Sequence, residues 1–229
     1  IGTDCSGIEA PIEALKKIKN KYDIDYDHIF SSETNKYALD CIKENNNPKI
    51  IFGDIQKRKI DDVPYIDIYV SGFPCQPYSR ANKFKSEVDP RLNLFEDCLK
   101  VILEKKPKCF ILENVKTLKT LNNGYYFNQI INRLENNGYY NVHNKVINSK
   151  DQGIPQCRER LYIIGILKSD IKKEFVFPQD VKMKPLEKFI DNTCNTKIDI
   201  KPSNYNLFKK IPLDSIFIDI GFREAKFPN

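Results

Sequence analysis

Short apolar runs alternate along this chain with longer stretches in which apolar residues recur at helical spacing. The opening IGTDCS reads as the end of a strand that breaks at a turn containing Gly7, and APIEALKKIKN reads as an amphipathic helix. DHIFSSE is a second strand ending in an acid, followed by the helix NKYALDCIKENN. KIIFGD is a third strand, again ending in an acid, and YIDIYVSG a fourth. NLFEDCLKVILEKK is a helix, CFILEN a strand, and YYFNQIINRLENNGY a helix that ends near Gly138. VHNKVINS and RLYIIGIL are two further strands. Strands alternating with helices predict an α/β fold: a doubly wound, mostly parallel sheet with both faces covered.

After Leu167 the rhythm weakens. Residues 168–190 are charged, carry Pro178 and Pro185, and read as a linker with one short helix. Residues 191–229 show only SIFIDIGF as a candidate strand and read as the start of a second, smaller domain. The expected organisation is therefore one domain over 1–167, a linker over 168–190 and an incomplete domain over 191–229.

Composition adds limits. Hydrophobic residues make up 41% and charged residues 30%, enough for a core and a solvated surface. No apolar run approaches the roughly 20 residues of a membrane span, and no signal peptide is visible, so the expected location is cytoplasmic, or nuclear in a eukaryote. The chain opens in mid-pattern at Ile1 without a methionine, so its true N-terminus is expected to lie upstream. A net charge of +6 is compatible with a nucleic-acid partner and is shared by many soluble domains. The 7 cysteines form no CxxC pair, and His28 and His143 lie far from them in sequence, so no metal site is expected.

The chemistry collects at strand ends. Asp4 and Gly7 follow the first strand, Glu33 the second, Asp54 the third, and Glu113 with Asn114 the fifth. A turn glycine with acids at successive strand ends is how doubly wound folds hold a nucleoside, because carboxylates accept hydrogen bonds from ribose and adenine. CSGIEA holds one glycine only, which disfavours a pyrophosphate and fits a cofactor without phosphates, such as S-adenosylmethionine; a single glycine is equally an ordinary turn. After the fourth strand, SGFPCQPYS places Cys75 between Pro74 and Pro77, a stiff loop no strand or helix runs through easily. A cysteine nucleophile needs thiolate character, an acid such as Glu113 can donate a proton, and QCRER aligns Arg158 and Arg160 on one face; alone, RER is also a surface ion-pair cluster.

These motifs together resemble the cytosine-C5 DNA methyltransferases. DCSGIEAP is similar to the family's cofactor turn, SSETNKYAL and GDI to its ribose and adenine contacts, and GFPCQPYS to its catalytic Pro-Cys-Gln loop. ENV resembles the catalytic acid motif, QGIPQCRERLYIIGI the Gln-x-Arg-x-Arg motif, and DPRLNLF the segment that opens the following helix. The resemblance covers about residues 1–167 and implies a Rossmann-like, S-adenosylmethionine-dependent methyltransferase fold followed by the start of a target-recognition domain.

It also implies roles. Cys75 would attack C6 of a flipped cytosine in double-stranded DNA, with Gln76 and Asn114 in the catalytic set. Glu113 would bind or protonate N3, Arg160 would contact O2, and Arg158 would orient the acid or a phosphate. Asp4, Cys5, Gly7, Ile8, Glu33, Thr34, Asp54, Ile55, Pro74 and Leu94 would line the cofactor site. Departures from the family pattern stand at Cys5, Glu9, Ala10, Thr34 and Leu92. The family's C-terminal motifs are not found, so the chain is expected to be a fragment or one half of a split enzyme, monomeric when complete and poorly active alone. Two other readings share the scaffold: a tRNA cytosine methyltransferase, and an inactive cofactor-binding scaffold.

Overall fold

In a computed structural model the described residues are 1–74, 94–185 and 188–189. Seven strands are hydrogen-bonded there in one sheet: β1 Gly2–Asp4, β2 Phe30–Ser32, β3 Ile50–Phe52, β4 Ile68–Ser71, β5 Cys109–Val115, β6 Tyr140–Asn148 and β7 Glu159–Leu167. Their order is β3-β2-β1-β4-β5-β7-β6. The pairs among β1 to β5 are parallel, and β7 runs antiparallel to both its neighbours. The expected α/β, mostly parallel sheet is therefore observed. The exception has a simple cause: the chain between β6 and β7 is too short for a crossover helix, so β7 must return alongside β6.

The helices are α1 Ala10–Tyr22, α2 Lys36–Asn45, α3 Leu94–Lys105 and α4 Tyr125–Glu135. α1 carries Pro11 in its first turn with Glu13, and Lys19 and Lys21 in its last, the charge order that suits a helix dipole. α2 is capped by Asn35, whose side chain accepts from the backbone of Tyr37 and Ala38. α3 buries Phe95, Cys98, Leu99, Val101 and Ile102, and α4 buries Phe127, Ile130 and Leu134, each a stripe at helical spacing. Gly138, at φ +75°, follows α4 in a conformation other residues rarely adopt.

Strand order sets where a ligand can sit. The chain winds from β1 to β2 and β3 on one side, and from β4 to β5 on the other. The reversal falls between β1 and β4, and a crevice opens at such a point beyond the strands' carboxyl ends. Pleating then assigns faces. Phe110, Leu112 and Asn114 of β5 are buried, while Glu113 points to the opposite face. The antiparallel register sets Glu113 opposite Tyr162 and Val115 opposite Arg160, so these four share one face.

The segment expected as a linker from residue 168 belongs, up to Pro185, to the same compact unit as the sheet, Ile1–Pro185. Val181 donates its amide to the Asp151 carbonyl at 2.8 Å, and the Phe175 ring lies 5.0 Å from that of His143. A second unit, Leu186–Asn229, falls almost wholly outside the described residues, as do SIFIDIGF and the expected recognition domain.

One close approach fixes the antiparallel half of the sheet. A Cβ added at Gly165 would stand 2.0 Å from Phe110 Cε1, and Phe110 in turn meets the Tyr140 ring edge-on at 5.0 Å. Gly165→Ala should therefore lower stability by about 1–3 kcal/mol through overpacking. Chemical denaturation checks this, and an unchanged midpoint would contradict the packing.

Candidate active site and cofactor cleft

After β1 the backbone forms an arch with Cys5 at φ 51°, Gly7 at φ 54° and Glu9 at φ 63°. Only one of the three is glycine, so the left-handed conformation costs about 1–2 kcal/mol at each of the other two. Side chains hold the arch at both ends. Before it, Asp4 accepts from both Nη1 and Nη2 of Arg58 at 2.8 Å and from the Tyr69 hydroxyl at 2.7 Å. After it, Glu9 accepts from Thr3 at 2.5 Å and from Ser31 at 2.6 Å. Between them the Ser6 amide and hydroxyl bond to the Ser32 carbonyl and amide, and the Gly7 amide donates to Glu33 at 2.8 Å.

The buried charges are sustained by their partners. Burial works against the Arg58 charge, but the Asp4 hydrogen bonds and charge outweigh it and raise its pKa. Burial, with the Asp4 charge added, holds the Tyr69 phenol well above its ordinary value, so it remains a donor. Burial also opposes ionisation of Glu9, yet hydrogen bonds from His28, Ser31 and Thr3 bring its carboxyl below the ordinary value.

Beside the arch lies a cleft of about 400 Å³. Cys5, Glu33, Thr34, Asp54, Ile55, Pro74 and Leu94, seven of the ten expected cofactor residues, line it. Glu33 is oriented by the amides of Thr34 and Asn35 on Oε1 and of Gly7 on Oε2. Asp54 accepts the Gln56 amide at 3.0 Å, which starts a 3-10 turn over Ile55–Lys57. The cleft thus offers carboxylates against the apolar surfaces of Ile55, Pro74 and Leu94. Those acceptors fit a nucleoside, and the arch has no further glycines to bring backbone against a pyrophosphate.

Gly7 and Ile8 line an adjoining groove of about 730 Å³, which reaches Glu113, Arg158 and Tyr162. Asp4 differs from the expectation in its carboxylate: the residue borders the groove, but the carboxylate is fully buried and taken up by Arg58 and Tyr69.

Glu113 pairs with Arg160, Nε to Oε1 at 2.9 Å, both side chains partly open to solvent. Arg160, and not Arg158, therefore orients the acid, because the register places Arg160 on the face of Glu113 while Arg158 precedes β7. Arg158 is exposed, its amide held by Asn148 and Ser149. Burial, with the Glu113 charge added, raises the neighbouring Tyr162 phenol. The loop leaving β4 passes close by: a Cβ at Gly72 would stand 3.7 Å from Glu113 Oε2.

Asn114 also departs from expectation. It is only 2% exposed, and its amide donates to the Phe73 carbonyl at 3.1 Å while its Oδ1 accepts from Val115. Its side chain is taken up at the base of the loop. Cys75 and Gln76 lie outside the described residues. Cys5 is no substitute nucleophile: burial first, then the Cys98, Asp4 and Glu33 charges, push its thiol up, opposite to what thiolate chemistry needs. Burial likewise takes Cys98 to about 12. Among the described residues no group of three or more His, Cys, Asp or Glu could hold a metal ion, and no helix is long and apolar enough to cross a membrane.

Sequence reasoning missed Arg58, Tyr69 and the anchoring role of Glu9. Arg58 sits in QKRKI, which reads as a solvated charged run.

With this geometry in hand, comparison with known proteins is specific. Residues 5–216 match the family model for C-5 cytosine-specific DNA methylases. The chain is 42% identical over 153 residues to the Type II methyltransferase M.NlaX of Neisseria lactamica, covering 67% of this chain and 48% of that protein. It is 40% identical over 199 residues to M.HaeII of Haemophilus aegyptius, covering 85% and 59%. The chain thus spans about half the length of the curated relatives it matches. Among solved structures, S. pombe Dnmt2 methyltransferase superposes with a TM-score of 0.63 at 20% identity, covering 91% of this chain and 66% of that one. The Entamoeba histolytica methyltransferase EhMeth gives 0.62 at 23%, covering 85% and 60%. At these identities the superpositions show a common fold.

Asn114 supplies a test of the site's architecture. Asn114→Ala removes a buried hydrogen bond to the Phe73 carbonyl and should cost about 0.5–1.5 kcal/mol of stability. A residue acting on substrate alone would leave the unfolding midpoint where it was, and that result would restore the original expectation.

Proposed function

The chain belongs to the C-5 cytosine-specific DNA methylase family, and from that premise we propose that it transfers a methyl group from S-adenosylmethionine to C5 of cytosine in double-stranded DNA. The observation that carries the reading is the Glu113–Arg160 ion pair beside the loop that leads to Cys75, next to a cleft edged by Glu33 and Asp54. The curated relatives are Type II methyltransferases, which supports duplex DNA over tRNA as the acceptor.

The chemistry explains why these groups belong together. C5 of cytosine is a poor nucleophile. Addition of the Cys75 thiolate to C6 breaks the ring's aromaticity and places electron density on C5, while Glu113 protonates or hydrogen-bonds N3 and takes up the developing charge. S-adenosylmethionine, when bound, supplies an electrophilic methyl group. A water molecule or hydroxide then takes the C5 proton as the C6–S bond breaks, which expels the thiolate and restores the ring. Arg160 keeps Glu113 aimed throughout. Glu33 and Asp54 would hold the cofactor's hydroxyls and adenine against Ile55 and Leu94. A base stacked in a duplex cannot be reached at C6 by this edge of the sheet, so the target must be flipped out.

Methyl transfer from labelled S-adenosylmethionine, with duplex DNA and tRNA offered side by side, should label DNA at cytosine. Cys75→Ser should lower the rate by far more than about tenfold, since a hydroxyl near its normal pKa is a much weaker nucleophile than a thiolate. Turnover within that factor would defeat the assignment, and preferential labelling of tRNA would change the substrate. Glu33→Ala should weaken cofactor binding by about 1–3 kcal/mol in calorimetry. Unchanged affinity would leave Glu33 with only its hold on the Gly7, Thr34 and Asn35 amides.

A further inference from the structure

We propose that Arg58 is a positioning residue for the cofactor, a role that rests on the reading of the cleft given above. Its guanidinium reaches three of the strand ends that build the cleft. It forks onto Asp4, the residue before Cys5, with two bonds of 2.8 Å. It donates to the Ser32 hydroxyl at 2.7 Å, one residue before Glu33. Its own backbone closes the turn that begins at Asp54, donating to the Ile55 carbonyl at 3.4 Å. The group rests against a pair of touching rings, 4.8 Å from the Phe52 centroid and 5.2 Å from that of Phe30. Arg58 and Asp4 side chains are only 4% and 0% exposed.

These contacts fix the separation of the cleft's walls. Cys5, Glu33 and Asp54 come from segments that meet only at their edges, and two of those segments, the arch and the loop after β3, are irregular backbone. Only a few bonds join them directly, from Ser6 to Ser32, from Gly7 to Glu33 and from the Glu33 amide to the Phe52 carbonyl, which leaves each the freedom to tilt about its contact. A planar fork with five donors in fixed geometry removes that freedom in a way a lysine cannot. Stability alone does not account for the pair, because a well-packed apolar replacement of a buried ion pair is often neutral or stabilising. Arg58 does not itself line the cleft and so acts through Asp4, Ser32 and its own loop.

The test separates fold from positioning. The parent chain, Arg58→Lys, and the double variant Asp4→Leu with Arg58→Met are compared by denaturant unfolding and by calorimetric titration with S-adenosylmethionine and S-adenosylhomocysteine. The double variant, which deprives the Tyr69 hydroxyl of its acceptor, should unfold somewhat before the parent but remain folded, and should bind both ligands ~10-fold or more weakly, the scale of loss that misplaced binding groups produce. Arg58→Lys, which keeps the charge and loses the fork, should also bind more weakly than the parent; it decides the matter if the double variant does not fold. Parent-like affinity in a folded double variant, or in Arg58→Lys, would overturn the proposal. A parent that binds neither ligand would overturn the reading of the cleft itself, and the positioning role with it.

Discussion

A guanidinium and a carboxylate, Arg58 and Asp4, meet out of solvent where the strand order of the sheet reverses. Two charges held there demand full satisfaction, since an unpaired one would cost several kcal/mol. Asp4 finds it in the Arg58 fork and the Tyr69 hydroxyl, and Arg58 in Asp4, Ser32 and two aromatic faces. The pair thereby binds β1, β2, β4 and the loop after β3 into one unit. On that base stands an arch with two non-glycine residues in left-handed conformations, a strain that persists only where surroundings over-determine the backbone. Asp4 before the arch and Glu9 after it supply that determination.

On the other side of the reversal, pleating separates two jobs that are adjacent in sequence. Glu113 and Asn114 are neighbours, yet alternate strand residues face opposite ways. Glu113 opens toward Arg160 and the groove, and Asn114 turns inward to hold the Phe73 carbonyl. Glu113 and the residue that holds the base of the loop leading to Cys75 are thus consecutive residues of one rigid strand. Precision comes from β5 and its antiparallel register with β7, which also brings Arg160 to the acid from two strands further along the chain.

Much of this was legible in the sequence. All seven strands and four helices follow from period and turn residues, because their apolar faces must be buried. Seven of the ten expected cofactor residues line one cleft, since strand-end acids in a doubly wound fold have only one edge to occupy. What escaped was what depends on contacts distant in sequence. Arg58 and Asp4 are 54 positions apart, and nothing local distinguishes Arg58 from Lys57 or Lys59. Asp4 reads as an acceptor for the ligand because a strand-end acid and a buried partner look alike until the partner is known. The exchange of Arg158 for Arg160 as the partner of Glu113 has the same origin: spacing aligned both on one face, but only pairing register could say which of them reaches the acid.

The most direct measurement of the central claim is the location of the bond between protein and base. Duplex DNA carrying 5-fluorocytosine retains the adduct, because the fluorine cannot leave as the C5 proton does. Incubation with the protein and S-adenosylmethionine, followed by proteolysis and mass spectrometry, identifies the attached residue. The account predicts a methylated 5-fluorocytosine adduct on the peptide containing Cys75, formed only when the cofactor is present. An adduct on Cys5 or Cys157, or cofactor-dependent methylation of the DNA with no adduct at all, would contradict it.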